Sequence, residues 1–241
     1  MTQYRIPPHV HLCLTDGVCV WLDVKQNKYF GTEATNSGPL ATLIEGWPVT
    51  GEAAGGCTAE SNAAAEVVAR NLFESGLLTR DCEQGRPATP VYVEKPCQPL
   101  IADDARVRGR IRWQYVCLFV FAIVMTFLAL KVVSFDYALR AIESQKQRAS
   151  HRAITSDLTY IRELVTAFLR LRLFAFTSKD YCLFDSLALM RFLISFDVYP
   201  ALIIGVSAAR PFRAHCWVQQ AGQVFNCDAE LARGFTPIRV I

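Results

Sequence analysis

The chain has 241 residues, of which 52% are hydrophobic, and its formal net charge is +3. This apolar content is sufficient for sizeable cores and excludes a disordered protein. The small net charge gives no sign of a nucleic-acid groove, so we expect no nucleic-acid partner. Function must therefore come from particular sites.

The first 80 residues predict a small α+β module. Residues 9–33 alternate β-branched and aromatic residues between an Asp-Gly turn and a Gln-Asn turn, which is typical of a three-stranded antiparallel meander. Residues 37–45 predict a short helix, and helical spacing of apolar residues predicts another over 59–75, ended by Gly76. Strands and short helices in so short a segment favour one compact module.

A linker separates this module from the rest of the chain. Residues 82–104 contain four prolines and little periodicity, a composition typical of linkers. We therefore predict a first domain over residues 1–85, a linker over 86–104 and a second domain over 105–241.

An apolar run covers residues 115–130 and follows arginines at positions 106, 108, 110 and 112. The run is shorter than the ~20 residues that usually span a bilayer, although the arginines are typical of a cytoplasmic flank. We favour a buried core helix in a cytoplasmic protein. Membrane association through this run is the alternative.

The nine cysteines do not predict a disulfide framework. Their number is odd, and the start of the chain lacks the apolar run of a secretion signal, so we expect a reducing cytosol. No Cys-x-x-Cys pair and no Gly-x-x-x-x-Gly-Lys-Ser/Thr loop occur in the sequence. We therefore expect neither a metal nor a cofactor in this chain.

A candidate nucleophile lies at a predicted helix start. Residues 178–206 predict a helix with Ser178 and Asp180 as candidate caps, ended by Pro200 and followed by the buried strand ALIIGV. Cys182 then lies in the first helical turn, where unpaired N–H groups and the helix dipole favour a thiolate. The same N–H groups can stabilise an oxyanion.

A thiol nucleophile needs a base, and the base needs a group that orients it. His215 stands in the strand-like segment RAHCWVQQ, and Asp228 lies on a later strand beyond a turn at Ala221-Gly222. This order can bring Cys182, His215 and Asp228 together. The alternative, a buried thiol and a packed histidine, stays open on these residues alone.

The segments CLFDSLALMRFLISFDVYPALIIGV and PFRAHCWVQQAGQVFN resemble the transglutaminase-like cysteine peptidase domain of lasso peptide B proteins. The resemblance implies a papain-like fold with Cys182 as nucleophile and His215 as general base. In the family an Asn-Asp pair follows, whereas here Asn226 precedes Cys227 and Asp228 comes one residue later. A slip of one residue reverses the face of a strand, so Asp228 is the third member only if its direction is restored.

The first 80 residues are similar to a winged-helix-like peptide-recognition module with three antiparallel strands and three helices. This similarity implies that a leader peptide adds as a strand to the edge of the third strand and contacts the last helix. The matching groove residues are Lys28, Tyr29, Phe30, Val68 and Leu72. For Val68 and Leu72, packing in the module's own core is an equal alternative.

Together these resemblances imply an α+β leader peptidase that frees the core N-terminus of a lasso peptide precursor. The implied partners are the precursor peptide and a separate asparagine-synthetase-like cyclase, and a requirement for ATP elsewhere in the maturation machinery stays open. Three other functions remain: a non-catalytic leader-binding subunit, a transglutaminase-type acyl transferase and a membrane-anchored sensor.

Overall fold

The computed structural model describes residues 3–33, 37–47, 59–101, 111–149, 157–175 and 181–241, which form a mixed α+β structure. The candidate caps Ser178 and Asp180 lie outside the described residues. The chain divides into two compact units. The first comprises Met1–Tyr92, Val206–Arg213 and Thr236–Arg239, and the second comprises Val93–Gly205, Ala214–Phe235 and Val240–Ile241.

The meander predicted near the N-terminus is confirmed. Its strands are β1 (Val10–Thr15), β2 (Val18–Asp23) and β3 (Lys28–Glu33), antiparallel in the order β1-β2-β3. Asp16 and Gly17 join β1 to β2 with φ of 51° and 73°. Two successive positive φ values fit the right-handed twist of a tight hairpin, and Asp-Gly is a favoured pair for this geometry.

Two helices cover the meander in the described part of this unit: α1 (Ser37–Leu43) and α2 (Ala59–Glu74). They close a core around Trp21, whose ring lies 5.6 Å from that of Trp47. The third helix of the expected winged-helix-like module is not among the described residues, so that arrangement stays a prediction.

Four helices form the helical part of the second unit. They are α3 (Trp113–Leu128), which continues as a π-helical segment (Ala129–Val133), α4 (Phe135–Ala149), α5 (Leu158–Arg172) and α6 (Cys182–Ile194). The predicted α6 is confirmed at its start but ends before Pro200, because Asp197 already turns the chain with φ of 56°. The sequence analysis did not single out α4.

A five-stranded sheet follows in the order β4-β7-β6-β5-β8. Its strands are β4 (Gln98–Pro99), β5 (Ala201–Ser207), β6 (Arg213–Gln220), β7 (Gln223–Val224) and β8 (Thr236–Val240). The short helix α7 (Ala229–Arg233) connects β7 to β8. β5 is the buried strand that ALIIGV predicts, and Ala221-Gly222 forms the β6–β7 turn with positive φ at both residues.

The helix over the apolar run differs from the expected core helix. Tyr115, Phe119, Ala122 and Thr126 are its buried residues, whereas its opposite face is exposed. Length and composition alone would let Trp113–Val133 cross a membrane, a property that core helices of soluble proteins share. The prediction of burial was therefore correct for one face only.

Candidate thiol active site

Helix α6 begins at the predicted nucleophile. Tyr181, the N-cap residue, has φ of −132° and ψ of 37°, and its carbonyl accepts the N–H of Asp185 at 2.9 Å. Cys182 is therefore the first helical residue, and its thiol is partly exposed. The positive end of the helix dipole and the N–H groups of the first turn lie at this residue.

His215 lies on β6 with its ring between two aromatic side chains. Its ring centroid lies 6.0 Å from that of Trp217 and 5.2 Å from that of Phe235. Burial lowers the pKa of His215 below its ordinary value of 6.5, so the imidazole is neutral at pH 7 and can accept a proton. Its Nε2 is buried and has no hydrogen-bond partner among the described residues. Such unsatisfied groups are rare, and a catalytic role is one reason for them.

Hydrogen bonds fasten the helix of Cys182 to the strand of His215. Ser186 Oγ donates to the carbonyl of Cys216 at 2.9 Å, one residue after His215. Asn226 Oδ1 accepts the N–H of Val218 at 3.0 Å, and its Nδ2 donates to Ser186 Oγ at 2.9 Å. Because these groups are buried, the bonds fix α6 against β6 in one arrangement.

A buried carboxylate belongs to the same network. Asp185 is 1% exposed, and its Oδ2 accepts from Arg172 Nη1 at 2.8 Å and from Asn226 Nδ2 at 2.9 Å. Burial raises the pKa of Asp185, while the Arg172 charge and these hydrogen bonds lower it. Its Oδ1 is buried without a partner in the described part of the chain. Asp185 was not predicted from the sequence, although Asp185-Ser186 interrupts the apolar first half of α6.

Two further thiols lie near Cys182. Burial raises the pKa of Cys216, and it raises that of Cys227 to about 12. Negative charge on Cys182 or Asp185 would raise the pKa of both thiols further, because these side chains lie close enough to interact electrostatically. Cys216 and Cys227 are therefore protonated at neutral pH and are poor nucleophiles.

Asp228 was expected to lie on a strand, but it does not. β7 ends at Val224, and Asp228 is the N-cap of α7, where its Oδ1 accepts the N–H of Glu230 at 2.8 Å. Its side chain is exposed, and the described contacts include no hydrogen bond between Asp228 and His215. The strand assignment was wrong because the chain enters a helix there. The role of Asp228 as the third catalytic residue stays a prediction.

The predicted groove residues occupy two kinds of position. Lys28, Tyr29 and Phe30 lie on β3, which is the edge of the described three-stranded sheet. Leu72 is 6% exposed and belongs to the core of the first unit, and Val68 packs against that core. The groove itself stays a prediction.

No group of three or more His, Cys, Asp or Glu side chains that could hold a metal ion occurs within the described ranges. All eight cysteines in those ranges are free thiols.

Residues 122–240 match the family model of the transglutaminase-like superfamily. The C-terminal part of the chain is a transglutaminase-like domain. The matched range contains Cys182, His215 and the hydrogen bonds that join their elements. Transglutaminase-like proteins include cysteine peptidases and acyltransferases, both of which pass an acyl group through a thiol. No match was found among curated proteins or among solved structures.

Proposed function

We propose that the chain is a cysteine peptidase that removes the leader from a ribosomally made lasso peptide precursor. The observation that carries this proposal is the position of Cys182 at the start of α6, fastened to the strand of His215 inside the transglutaminase-like domain. A thiol at a helix start, a neutral imidazole and a rigid link between them are what thiol acyl transfer requires.

The reaction proceeds through a thioester. His215 takes the proton from Cys182 Sγ, and the thiolate attacks the carbonyl carbon of the last leader residue. First-turn N–H groups of α6 stabilise the oxyanion. The imidazolium then protonates the leaving amine, which becomes the N-terminus of the core peptide. His215 next takes a proton from water, whose oxygen attacks the thioester, and the leader leaves as a carboxylic acid while the thiol is restored.

The first unit supplies recognition in this proposal. The leader adds as a strand to the β3 edge, where Lys28, Tyr29 and Phe30 lie, by backbone hydrogen bonding. Holding the leader on the same chain raises the effective concentration of the scissile bond. The freed amine passes to a separate asparagine-synthetase-like cyclase, which is also where a need for ATP would arise.

Mass spectrometry tests the proposal with a lasso peptide precursor, which the proposed function implies is encoded near the gene for this chain. We expect the wild-type protein to cleave one peptide bond, and Cys182→Ala and His215→Ala to leave the peptide intact. Cys117→Ala is the matched control, because Cys117 is an exposed cysteine on α3 and should be dispensable. Circular dichroism verifies that each variant is folded.

Two other outcomes would overturn the peptidase proposal in favour of its alternatives. Leader binding without cleavage by the wild-type protein would identify a non-catalytic leader-binding subunit. A product lighter than the substrate by one ammonia, with a new isopeptide bond, would identify a transglutaminase-type acyl transferase.

A further inference from the structure

A continuous apolar stripe covers the exposed face of α3 and of the π-helical segment that follows it. Its members are at least 42% exposed and recur at helical spacing: Trp113, Val120, Phe121, Val124, Leu128 and Val132. Cys117, which is also exposed, fills the interval between Trp113 and Val120. A row of large apolar side chains in water is unusual for a soluble monomer and indicates an interaction surface.

The opposite face of the same helix is fixed in the protein. The Phe119 ring lies 5.3 Å from that of Phe168, and Tyr115 Oη donates to Glu163 Oε1 at 2.9 Å. These contacts determine which face points outward. They also bring a polar side chain of α5 against α3, so the helix cannot have lipid on all sides. A bilayer could therefore meet only its exposed stripe.

The composition of the stripe favours lipid over a protein partner. Between Trp113 and Val133 the polar groups are the side chains of Gln114, Thr126 and Lys131 and the hydroxyl of Tyr115, and both Tyr115 and Thr126 are buried. Non-obligate protein interfaces mix polar and apolar groups in roughly the proportions of the ordinary surface. An exposed apolar face on a helix of 21 residues, about 30 Å at a rise of about 1.5 Å, offers a long surface that could enter the acyl boundary of one leaflet, where binding strength scales with the apolar area buried.

Basic residues flank the stripe at both ends. Arg112 precedes Trp113 and Lys131 lies near the end of the helix, and both side chains are exposed. In the sequence, Arg106, Arg108 and Arg110 come shortly before Arg112. Basic clusters next to an apolar helix bind anionic lipid headgroups, and tryptophan prefers the boundary between headgroups and acyl chains.

We propose that this stripe docks in the plane of an anionic lipid surface, with Trp113 at the headgroup level and the aliphatic side chains in the acyl boundary. The proposal is independent of the chemistry at Cys182. The stripe begins before the matched transglutaminase-like range and continues into it, and its docking does not require a helix that spans the membrane.

Tryptophan fluorescence gives a local test. Trp113 is 78% exposed, whereas Trp21, Trp47 and Trp217 are at most 7% exposed. A spectral change on adding vesicles therefore reports on Trp113. With vesicles of phosphatidylglycerol and phosphatidylcholine, we expect a blue shift in the full chain that Trp113→Phe abolishes. We also expect flotation with these vesicles, and weaker flotation with phosphatidylcholine alone.

The triple variant Phe121→Ser, Val124→Ser, Leu128→Ser should reduce the partition coefficient by about tenfold or more, because interfacial binding scales with buried apolar area. A matched control replaces three exposed apolar residues elsewhere: Val67→Ser, Tyr92→Ser, Leu231→Ser. Thermal unfolding verifies that both variants are folded.

Three results would overturn the proposal. The wild-type chain could remain unbound with both vesicle types, or the control variant could lose as much binding as the stripe variant. Light scattering could also reveal a dimer that only the stripe variant dissociates, in which case a second copy of the chain covers the stripe.

Discussion

Two carboxylates near the candidate site have opposite environments. Asp185 of α6 is buried and hydrogen-bonded to Arg172 and Asn226, which link it to α5 and to β6. Asp228 is exposed and caps a short helix. The energetic consequences of removing each charge should therefore differ widely, since a buried charge left without its partner is costly and an exposed cap is replaceable.

We expect Asp185→Asn to lower the free energy of unfolding by about 3 kcal/mol, because it removes a buried carboxylate and leaves the partly buried Arg172 charge without its counter-ion. Asp228→Asn should change it by less than about 0.5 kcal/mol, because asparagine caps helices as well as aspartate does. Urea unfolding measures both values. If Asp228 orients His215, as predicted, a folded Asp228→Asn variant should lose leader cleavage.

A folded Asp228→Asn variant that cleaves as fast as the wild-type protein would contradict this expectation and would leave Asp228 with the capping role alone. Asp228→Ala separates the two roles further, since it removes the cap together with the charge. If capping alone matters, the alanine variant should be less stable than the asparagine variant while both still cleave.

The sequence was sufficient to predict some of these residues and not others. The position of Cys182 at a helix start and that of His215 on a strand could be predicted because both patterns are local signals, whereas their catalytic roles stay predictions. The Asp185–Asn226 contact joins positions 41 residues apart, and no local pattern reports it. The environment of Asp228 depends on whether strand β7 continues past Val224 or a helix begins. No glycine or proline between Val224 and Asp228 marks the end of the strand in the sequence.

At the scale of the elements, β5 and β6 fit closely at one position. A Cβ on Gly205 would lie 2.7 Å from Trp217 Cζ3, 2.8 Å from Trp217 Cη2 and 3.0 Å from Phe235 Cβ. These rings also flank His215. The absence of a side chain at Gly205 therefore lets the Trp217 ring lie against the sheet beside the candidate base.

Gly205→Ala should lower the free energy of unfolding by about 1 to 3 kcal/mol, because the tryptophan ring must shift in a packed core. Gly31→Ala is the matched control on β3, where the nearest atom is Val18 Cγ1 at 3.5 Å, an ordinary contact. Urea unfolding followed by tryptophan fluorescence compares the two. Equal loss in both variants would show that the Trp217 contact does not determine the effect.

Helices and strands were predicted correctly where characteristic turn residues bound them. The exposed face of α3 was not predicted, because hydrophobicity was the only signal in its sequence. Asp16-Gly17 and Ala221-Gly222 marked their hairpins, because positive φ at both residues suits few sequences. The run 115–130 is apolar on every face, so its sequence has no polar side that would identify the exposed stripe. Only the packing of α3 against α5 and α6 distinguishes the faces.

At the scale of the whole molecule, the chain combines a small sheet module with a transglutaminase-like domain. In the proposed function these parts contribute to different kinetic constants. Leader capture at β3 stabilises the enzyme–substrate complex and the transition state by the same free energy. The thiol site contributes to the chemical step. A change at β3 should therefore affect KM and leave kcat unchanged.

The double variant Lys28→Glu, Tyr29→Ala tests this division. Neither side chain is in the core, although the Tyr29 ring lies 5.3 Å from that of Phe212, so circular dichroism must verify that the module remains folded. We expect KM for the full precursor to rise by about tenfold, which corresponds to about 1.4 kcal/mol of lost binding, with kcat unchanged. A peptide that lacks the leader should be cleaved equally slowly by the variant and the wild-type protein, because it has nothing to place on β3. A fall in kcat at constant KM would contradict leader capture at this edge and would mean that β3 affects the thiol site itself.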